Sequence, residues 1–188
     1  IDTTNSQGYA LTSTTVADGG KSYIDALSLL ANADEYDINL ILIPGILDNG
    51  GGVGHNGIIT KAIDVCEARG DAFLIYDITN YATTNLTTVT TEAATRDSNY
   101  SATYWPWVQI SDQQTGAMRW VPPSVVMAGI YAFNDKVAAP WFAPAGLNRG
   151  GLDTVIQAER KLTHANRDTL YDSCLLYTSD AADDLLCV

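Results

Sequence analysis

Bases, histidines, cysteines and long apolar runs are all scarce in this 188-residue chain, and each scarcity removes a class of function. Ten Lys and Arg stand against 22 Asp and Glu, for a net charge of −12. Nucleic-acid affinity comes chiefly from clustered bases that release counterions from phosphates, and here the bases are scattered, so no nucleic-acid partner is expected. No apolar run reaches the roughly 18 residues a membrane helix needs. The longest, INLILIPGIL, is broken by Pro44, so a soluble chain without membrane insertion is expected. The two histidines, His55 and His164, have no Cys, His or second acid at ligand spacing. A zinc site needs three or four such ligands, and both histidines read as solvated surface residues. Of the three cysteines, Cys174 and Cys187 lie in the terminal string CLLYTSDAADDLLCV. That leaves Cys66, on an apolar helical stripe, as a small buried hydrophobe rather than a nucleophile. No metal and no other cofactor is expected.

What is present is an ordinary globular composition, 46% apolar, long enough for one domain with a real core. Residues 1–20 are rich in Ser, Thr, Gly and Asp and read as loop or extended edge. A helix is expected over Ser22–Asn32, and a buried strand over Asp37–Ile43 stopped by Pro44-Gly45. A glycine-rich loop, Asn49–Gly57, precedes a helix over Ile58–Arg69, with Gly70 as its C-cap. Ala72–Tyr76 reads as a second buried strand ending at Asp77. Strand, helix and strand within about forty residues predict a right-handed βαβ unit in a parallel sheet. The Thr-rich segment Ala82–Asn99 is expected to hold one weak helix. Tyr104–Ile110 and Met118–Val121 flank a polar turn ending in Gly116 and predict a β-hairpin. Pro122-Pro123-Ser124 opens a helix through Val137, Val155–Leu162 extends as a strand, and Thr163 caps a last helix through Tyr171. The fold class is α/β: one domain with a central, partly parallel sheet flanked by helices, plus a β-hairpin.

The sharpest chemical lure is Gly52-Val53-Gly54-His55-Asn56-Gly57, a literal GxGxxG between a strand and a helix. Asp77 stands at the end of the next strand, where a dinucleotide fold places its ribose-binding acid. The motif needs its first glycine at the strand's own exit, yet eight residues separate Ile43 from Gly52, so a flexible surface loop is favoured. Asp71 and Asp77 bracket a strand about 20 Å long, too far apart for the acid/base pair of a glycosidase. Trp105, Trp107 and Trp141 admit three readings: a core face, a sugar-stacking platform, or a contact between subunits. Alternation along the strand puts Trp105 and Trp107 on one face and Tyr104 and Val108 on the other.

The stretch from Tyr104 to Gly150 says most about function. It holds all four tryptophans and five of the six prolines, no His, no Cys, and only Asp112 and Asp135 as acids. Rigid aromatics and prolines shape surfaces and do not move protons. Its phrases YWPWV, PPSVVMAGIYAFND and PWFAPAGLNRG, with DINLILIPGI and KAIDVCEARGDAFLIYDI before them and ERKLT and RDTLYD after, resemble the core domain of contractile-tail sheath proteins of tailed bacteriophages. The likeness runs from about Tyr9 to Asp172. It implies a structural, non-enzymatic subunit without catalytic, cofactor-binding or metal-binding residues, located in the virion and assembled in the host bacterial cytoplasm. Its implied partners are further copies of itself, joined into a helical polymer through strand exchange by terminal arms, and the tail tube, baseplate and tail terminator proteins.

The resemblance divides the chain into a sheath-core domain over residues 1–172, truncated at both ends, and residues 173–188, which resemble translated sequencing adapter. The start at Ile1, without Met or leader, reads as the middle of a longer protein, and a normal sleeve is not expected from this chain alone. The alternatives from other classes are a nucleotide-dependent α/β enzyme using the 52–57 glycine loop with Asp77, and a carbohydrate-binding module using Trp105 and Trp107.

Overall fold

The structure, a computed structural model, describes residues 19–48, 53–83, 85–146, 148–172 and 176–177. Within them run helices α1 (Gly19–Leu30), α2 (Val53–Arg69), α3 (Leu86–Ala93), α4 (Pro123–Val137) and α5 (His164–Asp172). The strands are β1 (Leu40–Leu47), β2 (Phe73–Asp77), β3 (Ser101–Trp105), β4 (Val108–Ser111), β5 (Met118–Val121), β6 (Val155–Ala158) and β7 (Leu176–Tyr177). The expected loop over residues 1–20 lies almost wholly outside the described residues, as do residues 49–52 of the glycine-rich segment.

Two sheets result. One is parallel, in the order β1-β2-β3-β7; the other is antiparallel, in the order β5-β4-β6. The expected βαβ unit is present as β1-α2-β2, with Leu40, Ile41 and Leu42 paired in parallel to Phe73, Leu74 and Ile75. A second crossover, through α3, brings β3 parallel to β2. The Thr-rich segment gains that helix from a cap: the Asn85 side chain accepts a hydrogen bond from the Thr87 N–H at 3.0 Å, satisfying a donor that the first turn leaves open.

Alternation along these strands builds two cores. Ile41, Ile43, Leu74, Tyr76 and Trp105 face α1 and α2, where Leu27, Ile58, Ile59, Ala62 and Cys66 are buried against them. Leu40, Leu42, Phe73, Ile75 and Tyr104 face Met127 and Ile130 of α4 on the other side. Side chains point alternately to the two faces of a strand, so a near-continuous apolar run such as LILI is what a sheet covered on both sides requires.

Helix α1 begins at Gly19, ahead of the expected Ser22, and β6 ends at Ala158, short of the expected Leu162. Three larger expectations need correction. Pro44 does not stop the first strand. Among the described residues β1 is an edge strand, where a missing N–H costs no ladder bond, and it bulges between Leu42 and Leu47 with Gly45 at φ 92° before resuming. Tyr104–Ile110 is not one strand: the chain leaves the parallel sheet at the cis Trp105–Pro106 bond and enters the antiparallel one as β4. Residues 53–57 are not a surface loop but the opening of α2, five residues ahead of the expected start. The β4–β5 hairpin, the helix opened by Pro123 and the Thr163 cap, whose Oγ1 accepts from the Asn166 N–H at 3.3 Å, stand where expected.

Two glycines separate backbone conformation from packing, because a Cβ added at either meets nothing within 4 Å. Gly129 lies inside α4, so Gly129→Ala is expected to stabilise by about 0.5–1 kcal/mol. Gly45→Ala forces an L residue to positive φ and is expected to destabilise by about 1–2 kcal/mol. Urea midpoints measured side by side check the opposite signs.

Candidate functional site

The carboxyl edge of the parallel sheet gathers the polar side chains that the core admits. Asp48 follows β1 there and Asp77 ends β2, and the Asp48 N–H donates to the Asp77 carbonyl at 2.8 Å. Asp77 is only 2% exposed. Its Oδ1 accepts from the Ser124 N–H at 3.1 Å and its Oδ2 from the Ser124 hydroxyl at 2.6 Å. It therefore caps α4, whose own cap position is Pro122 and offers no side-chain acceptor. Burial pushes the Asp77 carboxyl up to about 6, and the two bonds from Ser124 only partly oppose it.

Asp48, fully buried, pairs with Arg96 just beyond α3 in a two-pronged contact of 2.7 and 2.8 Å. The same guanidinium donates to Thr60 Oγ1 at 2.8 Å and to the Asn56 carbonyl at 3.3 Å, so it ties β1, α2 and the α3 exit together. The bonds to Asp48 raise the Arg96 pKa further. His55 is 0% exposed, and its Nδ1 accepts from the Leu47 N–H at 3.2 Å. The expected surface position for His55 is thus wrong: the first turn of α2 turns the ring inward onto the end of β1. His164 is exposed, as expected, beside Arg167.

This arrangement removes the groundwork for dinucleotide binding. Asp77 uses both carboxylate oxygens on Ser124 inside the protein, where no ribose reaches it. The gap from strand to glycine is shorter than the sequence implied, since β1 continues to Leu47, and it is the burial of the acid that counts against the motif. Gly52 itself lies outside the described residues. Asp71 is exposed and paired with Arg69 at 2.8 Å, which holds its carboxyl below the usual range. Arg69 also donates to the Leu30 and Tyr36 carbonyls at 2.6 and 2.8 Å, closing the end of α1. Cys66 is buried, and its thiol is pushed up to about 11, chiefly by that burial. Among the described residues no group of three or more His, Cys, Asp or Glu could hold a metal ion.

The tryptophans separate. Trp105 is 1% and Trp107 7% exposed, which gives the core reading and leaves no platform for a sugar. They do not share a strand face: Trp107 follows the strand, donates to the Thr79 carbonyl at 2.9 Å and packs edge-on against Tyr81. Trp141 is 82% exposed. It follows α4 in a turn held to the helix by Asn134, whose Nδ2 donates to the Phe142 carbonyl at 2.8 Å. The Trp141 and Phe142 rings lie 6.5 Å apart, and the Arg149 guanidinium sits 5.0 Å from the Phe142 ring centre. Asp48, Arg96 and Ser124 escaped sequence reasoning. The one signal for any of them was Ser124 in the first turn of a proline-opened helix.

The chain is 39% identical over 83 residues to the tail sheath protein of Vibrio phage KVP40, a match covering 44% of this chain and 11% of that protein. It is 33% identical over 96 residues to the tail sheath protein of Enterobacteria phage T4, covering 51% of this chain and 13% of that protein. The matched stretches thus span little more than a tenth of either relative's length. No family model matches the chain. The two similarities support a tail sheath relationship.

Two buried carboxylates make opposed tests. The folded pKa of Asp77 is raised above its value in the unfolded chain, so its contribution to stability is fully present below about pH 4 and is lost as pH rises through about 6. Asp77→Asn should remove that dependence, and the difference between wild type and variant should change by about 2–3 kcal/mol between pH 4 and 7 in urea titrations. Arg96→Met leaves Asp48 buried and uncompensated and should cost about 3–5 kcal/mol, most of it regained in Asp48→Leu/Arg96→Met.

Proposed function

We propose that this chain is part of the core of a contractile tail sheath subunit, which polymerises helically around a tail tube and contracts to drive the tube through a bacterial envelope. The similarity to two phage tail sheath proteins carries this reading. In it, residues 1–172 are the sheath-core domain and residues 173–188 an adapter-derived extension. The tail tube, baseplate and terminator proteins are its other partners, assembly takes place in the host cytoplasm, and the subunit has no catalytic centre.

The physics of such a subunit is that of a rigid body with exchangeable neighbours. A head-to-tail interface whose rotation does not close generates an open helical array, which is what a sleeve needs. Contraction requires no nucleotide if the assembled array has two packings and starts in the less stable one, so that release of the tail shifts the population. A terminal arm that adds a strand to a neighbour's sheet would keep subunits connected while they reorient.

Replacing the matched stretch of the KVP40 sheath with the corresponding residues of this chain tests the proposal. Regular sheath tubes in electron micrographs are expected, and a chimera that folds yet never polymerises, beside a polymerising parent, overturns it. The rival enzyme reading predicts thermal stabilisation by dinucleotide, about 2.7 kcal/mol at 100 times the dissociation constant. No shift is expected with either nicotinamide or adenine nucleotides.

A further inference from the structure

The outer face of α4 and the turn after it form an exposed apolar surface with a built end. Val125, Phe133 and Val137 stand on one row at spacings of eight and four, with Gly129 between them, and Trp141 and Phe142 extend the row beyond the helix. Residues four apart on a helix are neighbours, so the row is continuous. Its five large apolar side chains expose on the order of 500 Å², near the upper limit for a monomer's largest patch. A stable interface buries about 800 Å² per partner, which this row and its polar rim together approach. Trp and Arg are among the residues that dominate binding energy at interfaces, and here an 82% exposed Trp141 lies next to Phe142, the ring on which Arg149 rests. Arg149 rests on the Phe142 ring, and no carboxylate pairs with it among the described residues.

The complementary surface lies on the same molecule. A shallow concavity of about 350 Å³ is lined by Glu67, Asp97, Ser98, Asn99 and Tyr100. Ser98 Oγ donates to Glu67 Oε1 at 2.6 Å and orients that carboxylate, while Asp97 and Tyr100 are exposed. Two carboxylates beside an aromatic ring suit a surface that offers a guanidinium and an indole, since charge-assisted bonds and ring contacts are the stronger kinds.

A chain cannot close this contact on itself. Asp77 fixes the start of α4 at the carboxyl edge of the sheet, so the helix runs back toward the amino edge on the Ile75 face. The concavity, at the end of α2 and the approach to β3, is at the amino edge on the opposite, α2 side. The sheet stands between them. We propose that the Trp141–Arg149 end of one copy docks in the Glu67–Asp97–Tyr100 concavity of the next, a heterologous contact that repeats from copy to copy. This inference rests on the sheath reading and names a surface through which such subunits would join.

Sedimentation of the 188-residue chain in reducing buffer, over a concentration series, tests the contact. Wild type is expected to associate, Trp141→Ala and Arg149→Asp each to weaken association at least tenfold, and urea midpoints to stay at the wild-type value because both sites are on the surface. Asp97→Arg should also fail to associate alone. An equal mixture of Arg149→Asp and Asp97→Arg should associate again, since each variant then offers the charge the other needs. Association of the single variants at wild-type strength, or a mixture that stays monomeric, overturns this contact and leaves self-assembly standing. A wild type that stays monomeric throughout overturns it as well, and the sheath reading is then decided separately by the chimera's polymerisation.

Discussion

The carboxylate of Asp77, held by the backbone and hydroxyl of Ser124, is the constraint on which the α4 side of the molecule depends. A helix that opens on two prolines brings no side-chain cap of its own, and its first-turn N–H groups still need acceptors. The end of a neighbouring strand supplies one. Two opposing effects act on that carboxyl: the helix N-terminus favours negative charge, and burial disfavours it. Burial wins, which is why the group sits near 6 and not below 4. A helix of 15 residues runs about 22 Å along its axis, so the two bonds from Ser124 to Asp77 and the packing of Met127 and Ile130 together place Phe133, Val137 and the Asn134-bound turn.

The other face is secured by a different device. Arg96 joins Asp48 to α2 through Thr60 and Asn56, and Arg69 joins the end of α2 to the end of α1. A buried ion pair is weak evidence of net stability, because desolvation consumes most of its attraction. What it does enforce is geometry, since either partner alone would be left charged in a dry site. Asp48 and Asp77 are also joined through the backbone, so the bulged end of β1 returns to the end of β2 and both clamps are fixed at one edge.

Much of this fold was legible in the sequence, because apolar periodicity and turn residues report on local structure. Ile59, Ala62, Ile63 and Cys66 gave α2, Phe73–Tyr76 gave β2, and Pro122-Pro123 gave the start of α4. The misses have tertiary causes. Pro44 stops a central strand and not an edge strand, and nothing in the residues LILIPGIL says that β1 has one neighbour among the described residues. Tyr104–Ile110 alternates as one strand would, yet its halves pair with different sheets because each finds its partner far away in sequence, β2 for one and β6 for the other. Glycines in the first turn of α2 disguise a helix as a loop, since its early stability comes from His55 and Leu47 and not from propensity. Of the candidate site, the burial of Trp105 was readable and the exposure of Trp141 was not, because the Pro/Gly-rich segment that carries it has no period.

Under the sheath reading proposed above, the division between buried clamps and an exposed aromatic end has a mechanical reason. A subunit that exchanges neighbours must keep its own shape while its contacts break and re-form, so its cohesion cannot reside in the surfaces that are exchanged. Here the charged groups that would bind tightly, Asp48, Asp77 and Arg96, act on the protein's own elements, and the tests by substitution at these sites read folding. The outer row from Val125 to Trp141 takes little part in that cohesion: its side chains are exposed, and α4 is held by Met127, Ile130 and Asn134 on its inner side. Changes there can alter association without altering the fold. Separating the two in this way is what permits a rigid body to have more than one set of neighbours, and it follows from where burial places the carboxylates.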